Sequence, residues 1–162
     1  TRAIRQELLK ILPHPVHVQE RDKLCLELGI AADRGEMPSF SHPGARSGYA
    51  LDYFCRARLL AGLIMQSKVG EDLASLWIQD PYRTIHVTSL GGGPGFDFVA
   101  LAMAILFSQS AATQSMATLN TTVLDYEVGW SDLVQAMNDA TIQVLQQPNF
   151  HCQWGGRCDI TQ

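Results

Sequence analysis

A chain of 162 residues that is 46% hydrophobic and 17% charged has enough apolar material for a buried core, which argues for one domain with at most an appended subdomain. Its longest apolar stretch, Phe98 to Phe107, is about half of what a bilayer span needs. The leading TRAIRQELLK lacks the apolar region of a signal peptide, so no membrane segment and a cytoplasmic or nuclear location are expected.

The chain begins as helices. From Arg2 to Leu12, the residues Ile4, Leu8, Leu9, Ile11 and Leu12 recur near helical spacing, and PHP at 13–15 ends the run. Glu20 to Ala32 predicts a second helix. RGEMPSFSHPGARSG at 34–48, rich in Gly, Pro and Ser, predicts a long loop. Tyr49 to Ser67 has the apolar spacing of one helix with a buried face, through Leu51, Phe54, Cys55, Leu59, Leu63 and Ile64. Glu71 to Gln79 continues as a short helix, and DPYR at 80–83 is the turn before the first strand.

From Thr84 the pattern alternates. IHVTSL is a β-branched run, DFVALAMAILF is helical, LNTTVLDYE is a second β-branched run, Trp130 to Gln147 is helical, and Phe150 to Trp154 predicts a third strand. SQSAATQSMAT at 108–118 reads as a polar loop or insertion. The order β-α-β-α-β argues for an α/β fold of parallel strands with helical crossovers.

The charge is divided along the chain. Residues 1–68 hold ten Lys/Arg against seven Asp/Glu, a balance of +3; residues 69–162 hold two against nine, a balance of −7. An anionic partner is therefore expected at the first half, at Lys10, Arg21, Lys23, Arg46, Arg56 and Arg58. Cys25, Cys55, Cys152 and Cys158 lack CxxC spacing, and the five histidines share no ligand spacing. Neither a disulfide framework nor a metal site is expected.

Between the first strand and its helix lies SLGGGPGFD at 89–97. Glycines at the carboxyl end of a first parallel strand permit a sharp turn and leave room for a ligand, whose anionic group the following helix terminus can meet. A dinucleotide G-x-G-x-x-G counted from Gly91 puts Phe96 where its third glycine belongs, and no GK[ST] follows for a phosphate loop. The segment resembles motif I of the class I, Rossmann-like S-adenosylmethionine-dependent methyltransferases, with GxGxG at Gly91, Gly93 and Gly95 and with Gly92 giving further backbone access. That family has an acid two positions before the first glycine; here Ser89 stands there, so the contact to the methionine amino group is missing or taken by Asp97.

LNTTVLDYEVGW resembles the family's second motif. The resemblance implies that Asp125 accepts the ribose hydroxyls, that Tyr126 lies near the adenine and that Glu127 is a second acceptor. WGGRCDITQ resembles the segment where the family sets an acid, Asp159, against the adenine amino group, with Ile160 beside the ring. The resemblance covers residues 84–162 and implies a methyltransferase half-domain over 81–162 with S-adenosylmethionine as cofactor; the helical pattern before it is read as a subdomain over 1–80 packed beside that half-domain. Tyr49, Tyr53, Arg56 or Arg58 is the expected partner of the methionine carboxylate.

No NPPY or DPPY occurs and no cysteine nucleophile is assignable, so the methyl acceptor and its catalytic residue are unidentified. The basic first half favours RNA or protein over a metabolite as acceptor; a catalytically silent module that binds the cofactor or a partner is the alternative. In the family strand one is central, so this chain is expected to leave its outer edge open, to be covered by further chain or by a partner.

Overall fold

The computed structural model describes residues 1–80, 82–108 and 117–158. Five helices come first: α1 (Arg2–Ile11), α2 (Val18–Arg34), α3 (Pro43–Asp52), α4 (Cys55–Gln66) and α5 (Lys68–Gln79). Then β1 (Thr84–Leu90), α6 (Phe96–Ser108), β2 (Thr118–Asp125), a 3-10 turn (Val128–Trp130), α7 (Ser131–Leu145) and β3 (Phe150–Arg157) alternate. The fold is α/β with a three-stranded parallel sheet in the order β1-β2-β3.

Two expectations for the first half need correction. The long loop over 34–48 is cut short, because Pro43 to Asp52 is helix. Pro43 occupies the first turn, where its missing N–H costs nothing, and the His42 ring accepts a hydrogen bond from Ala45 N at 3.2 Å. What reads as a breaker is a helix start. The single helix over Tyr49 to Ser67 is broken at Tyr53 and Phe54. Tyr53 leaves helical geometry at φ −93°, ψ 9°, which stacks its ring on Tyr49 at 4.7 Å and lets Phe54 sink against Phe96.

α3 is buried from Gly44 to Leu51. It approaches its neighbours through small residues: a Cβ at Gly44 would stand 2.8 Å from both Pro15 O and His17 Cβ, closer than real side chains permit.

The strands show period-2 burial. Leu119, Thr121, Val123 and Asp125 of β2 are buried and alternate with half-buried Thr118, Asn120, Thr122 and Leu124. Register runs from Thr84↔Thr118 to Leu90↔Leu124 between β1 and β2, and an irregularity between Val123 and Leu124 interrupts the pairing of β2 with β3. β3 continues past Trp154 to Arg157, three residues further than its sequence pattern suggests. α7 packs on β3, and its buried Asn138 Oδ1 accepts from Cys152 N at 2.7 Å.

α6 explains the longest apolar run. Phe98, Val99, Ala100, Ala102, Met103, Ala104 and Ile105 are all buried, which a helix packed on one side only would not require. α4 lies along it, and α1 covers α7 in the same way. One core therefore joins Ile4, Leu8, Phe54 and Ala57 from the first half with Val99, Val123, Leu133 and Met137 from the second. Full burial of each large side chain contributes roughly 1.5 to 3 kcal/mol. Among the described residues no helix is long and apolar enough to cross a membrane, and no group of His, Cys, Asp and Glu is arranged to hold a metal ion. SQSAATQSMAT lies almost wholly outside the described residues.

Candidate functional site

Where β1 ends, the chain turns through three residues in the left-handed region: Gly91 at φ 66°, Gly93 at φ 52° and Gly95 at φ 91°. Only glycine adopts these angles without strain. Gly91 N and Gly92 N both donate to Leu124 O, at 2.8 and 3.4 Å, and Gly95 N closes the turn onto Gly92 O at 3.1 Å. Gly92 has ordinary backbone angles but no room, since a Cβ there would run into the Ser89 side chain.

Asp125, at the carboxyl end of β2, is 3% exposed. One carboxylate oxygen accepts from Gly93 N at 2.9 Å and the other from Glu127 N at 3.0 Å. The carboxylate thus ties the glycine turn to the loop after β2. Among the described residues two of its roughly four acceptor directions are used. Glu127 in turn accepts from Gly129 N at 2.9 Å and starts the 3-10 turn. Tyr126 points its hydroxyl away from the loop, donating to Pro38 O at 2.8 Å.

Asp97 stands in the first turn of α6, where the helix dipole favours an acid. Ser89 Oγ donates to its carboxylate in a short hydrogen bond. Asp97 thus brings a carboxylate from the helix side to the end of β1.

Two adjoining cavities meet at this turn. The first, of about 230 Å³, is lined by Gly91, Gly93, Asp125 and Tyr126 together with Met37, Phe40, Tyr49, Trp130 and Cys158. Its walls are aromatic, with Phe40 4.9 Å from Trp130 and 5.2 Å from Tyr49 between ring centroids. The second, of about 240 Å³, is lined by Gly91, Gly92, Gly93, Pro94 and Asp97 together with Tyr49, Arg56, Leu60 and Phe96. Arg56 Nη1 donates to Tyr49 Oη at 2.7 Å, and its guanidinium lies 4.7 Å from the Tyr53 ring centroid. Tyr49 lines both cavities and stands at their junction.

Comparison with family profiles, with curated proteins and with solved structures gives no match to this chain. What the site can do must follow from its residues.

The structure brings Gly91, Gly92, Gly93, Asp97, Asp125 and Tyr126 onto this crevice. Gly95 lies behind it, where an added Cβ would meet Cys152 at an ordinary 3.6 Å, so its φ of 91° rather than crowding calls for glycine. Glu127 serves the loop geometry, and Asp159 and Ile160 lie outside the described residues. Of the four expected carboxylate partners, Tyr49 and Arg56 line the crevice and Arg58 lines a different cavity.

Arg46 departs furthest from its expected place on a partner-facing surface. It is 7% exposed, and its Nη1 donates to Phe40 O at 2.6 Å and Ser41 O at 2.9 Å. Burial pushes its pKa down, opposed by Glu127, whose carboxylate is 4.0 Å away, and by Asp132. Arg46 thereby clamps the segment carrying Met37 and Phe40 against the loop after β2. The sequence signal for Met37, Phe40 and Trp130 is thin, since each belongs to a stretch read as loop or helix entry; only their aromatic or apolar character beside a glycine turn points to them.

Proposed function

We propose that the crevice binds S-adenosylmethionine and that the chain is a Rossmann-like methyltransferase whose acceptor is unidentified. One observation carries the reading: Asp97 and Arg56, an anion and a cation, line the same cavity over the glycine turn, and that cavity opens beside an aromatic-walled one holding Asp125. This donor set suits a ligand with an α-amino acid at one end and a nucleoside at the other. Arg56 would hold the carboxylate in a charge-assisted fork, Asp97 the ammonium, and Asp125 the ribose hydroxyls. Phe40, Tyr126 and Trp130 would exclude water from the base.

Bound there, the cofactor would supply a methyl group already activated by its sulfonium. The task left to the chain is then alignment of the acceptor, and removal of a proton where the acceptor is a weak nucleophile. Calorimetry with S-adenosylmethionine, S-adenosylhomocysteine and NADH tests the first claim, and transfer of labelled methyl to RNA and protein extracts tests the second. Binding of NADH alone, or of none of the three, would overturn the reading.

The hydrogen bonds from Gly93 N and Glu127 N to Asp125 favour a second reading. In it the carboxylate is architectural and the chain is a catalytically silent binding module. Cofactor binding without methyl transfer to any extract supports that alternative.

A further inference from the structure

A larger cavity, of about 500 Å³, lies between the start of α1 and the junction of α3 with α4. Three arginines line it, Arg2 and Arg5 from α1 and Arg58 from α4, over an apolar floor of Leu51, Phe54 and Cys55. Arg5 Nε donates to Leu51 O at 2.8 Å, which fixes its guanidinium on the cavity wall. Asp52 is the one carboxylate on the lining, and it is drawn toward Arg21, 3.5 Å away. Among the described residues neither Arg2 nor Arg58 forms an ion pair. Three guanidinium groups thus line one space whose single carboxylate, Asp52, is shared with Arg21.

From this geometry we infer that the cavity binds a phosphate and its adjoining base from a single nucleic-acid strand. Guanidinium groups match phosphate oxygens in a bidentate fork. The apolar floor suits a base, and a base is free to leave its neighbours only in an unpaired strand. The volume falls in the range of small-ligand sites, about 300 to 1,000 Å³, and so admits one nucleotide unit rather than a duplex. The basic balance of residues 1–68 against the acidic remainder would direct a polyanion to this half. The binding claim stands apart from the cofactor reading. Arg56 faces the crevice and Arg58, two residues on, faces this cavity, so the same helix carries both sites.

Fluorescence anisotropy with labelled RNA and DNA strands of about ten nucleotides, at about 50 mM salt and above, tests it. The wild type is expected to bind at least one of them, and the double variant Arg2→Gln, Arg58→Gln to bind at least tenfold more weakly. Loss of the one phosphate contact should also flatten the plot of log K against log salt by about 0.7. Lys68→Gln, remote and paired with Asp72 at 2.8 Å, should change neither quantity. Cys55 is exposed on the cavity lining, so bound strand should slow its alkylation. Equal affinity and slope in the double variant, an unprotected Cys55, no binding of either strand, or equal competition by an acidic peptide would each overturn the inference. S-adenosylhomocysteine calorimetry on the same variant keeps the questions apart: its loss of cofactor binding bears on the crevice, and its loss of strand binding bears on this cavity.

Discussion

Replacing Asp125 removes more than a ligand contact. The Asp125 carboxylate is 3% exposed and accepts from Gly93 N and Glu127 N; alanine would leave both amides unpaired in a nearly dry site. A hydrogen bond to a charged group is worth about 1.5 to 3 kcal/mol, so two, less some relaxation, predict a loss of about 3 to 5 kcal/mol. For a domain of this size that lowers Tm by roughly 6 to 20 °C. Asp125→Asn keeps one acceptor oxygen but presents an amide donor to the other N–H, so it should lose about half as much. Urea denaturation of the three proteins measures this directly, and calorimetry on the folded fraction then reports cofactor binding separately. An alanine variant within about 0.5 kcal/mol of wild type would refute the claim that this carboxylate ties the glycine turn to β2.

If Arg56 and Asp97 hold the amino-acid end of the cofactor, Arg56→Gln and Asp97→Asn should each weaken S-adenosylhomocysteine about tenfold or more; methylthioadenosine, which lacks that end, should be unaffected, and equal losses for both ligands would remove the pair from the site. Gly93→Val should cost about 1 to 3 kcal/mol in folding, because its φ of 52° strains a β-branched residue although the nearest atom to a new Cβ is Trp130 Cε2 at 3.9 Å. It should nonetheless abolish cofactor binding, and retained binding would make the turn purely structural. Burial pushes the Cys152 thiol up from 9.0 to about 12, aided by Asp97, and the Tyr126 phenol up from 10.0 to about 12, aided by Asp125 and Glu127. Both groups hold their protons more tightly folded than unfolded, so stability is full below about pH 9 and falls toward pH 12, by at most about 1.4 kcal/mol per pH unit per group; a flat urea midpoint over that range would contradict the burial. Among the described residues no strand pairs with the outer edge of β1, and Leu90 beside it is 59% exposed. The chain should self-associate at high concentration or accept a partner there, and light scattering from a stable monomer would count against that edge as an interaction surface.

The alternation of β1, α6, β2, α7 and β3 was legible because period-2 and helical patterns differ over runs of this length. α3 was not. Its sequence, HPGARSGYALD, carries the proline and glycines of a loop, and they mean something else once a histidine ring caps the first turn and close neighbours demand small residues. The glycine run announced a sharp turn in advance, but not which of its members take left-handed angles: Gly91, Gly93 and Gly95 do and Gly92 does not. What it could not announce was the bond from Ser89 to Asp97, since eight residues and a reversal of direction separate them. The burial of Asp125 was hidden for a similar reason: nothing in LDYE tells whether backbone amides or solvent will meet the carboxylate.

The division of the chain into a helical half and an alternating half describes its pattern better than its site. Gly91 to Gly93, Asp97 and Asp125 come from the second half, but Phe40, Tyr49 and Arg56 come from the first. Without those three, the cavity beside Asp97 has no cation and the one beside Asp125 loses two of its aromatic walls. The first half reaches them through long-range bonds: Tyr126 Oη to Pro38 O at 2.8 Å fastens the approach to α3 over the loop after β2, while Arg46 holds the same segment at Phe40 O and Ser41 O. A polar anchor on each half thus secures the segment that walls the crevice. A ligand seated between the halves would gain contacts from both, and its affinity would depend on Phe40, Tyr49 and Arg56 as well as on the glycine turn and its strand.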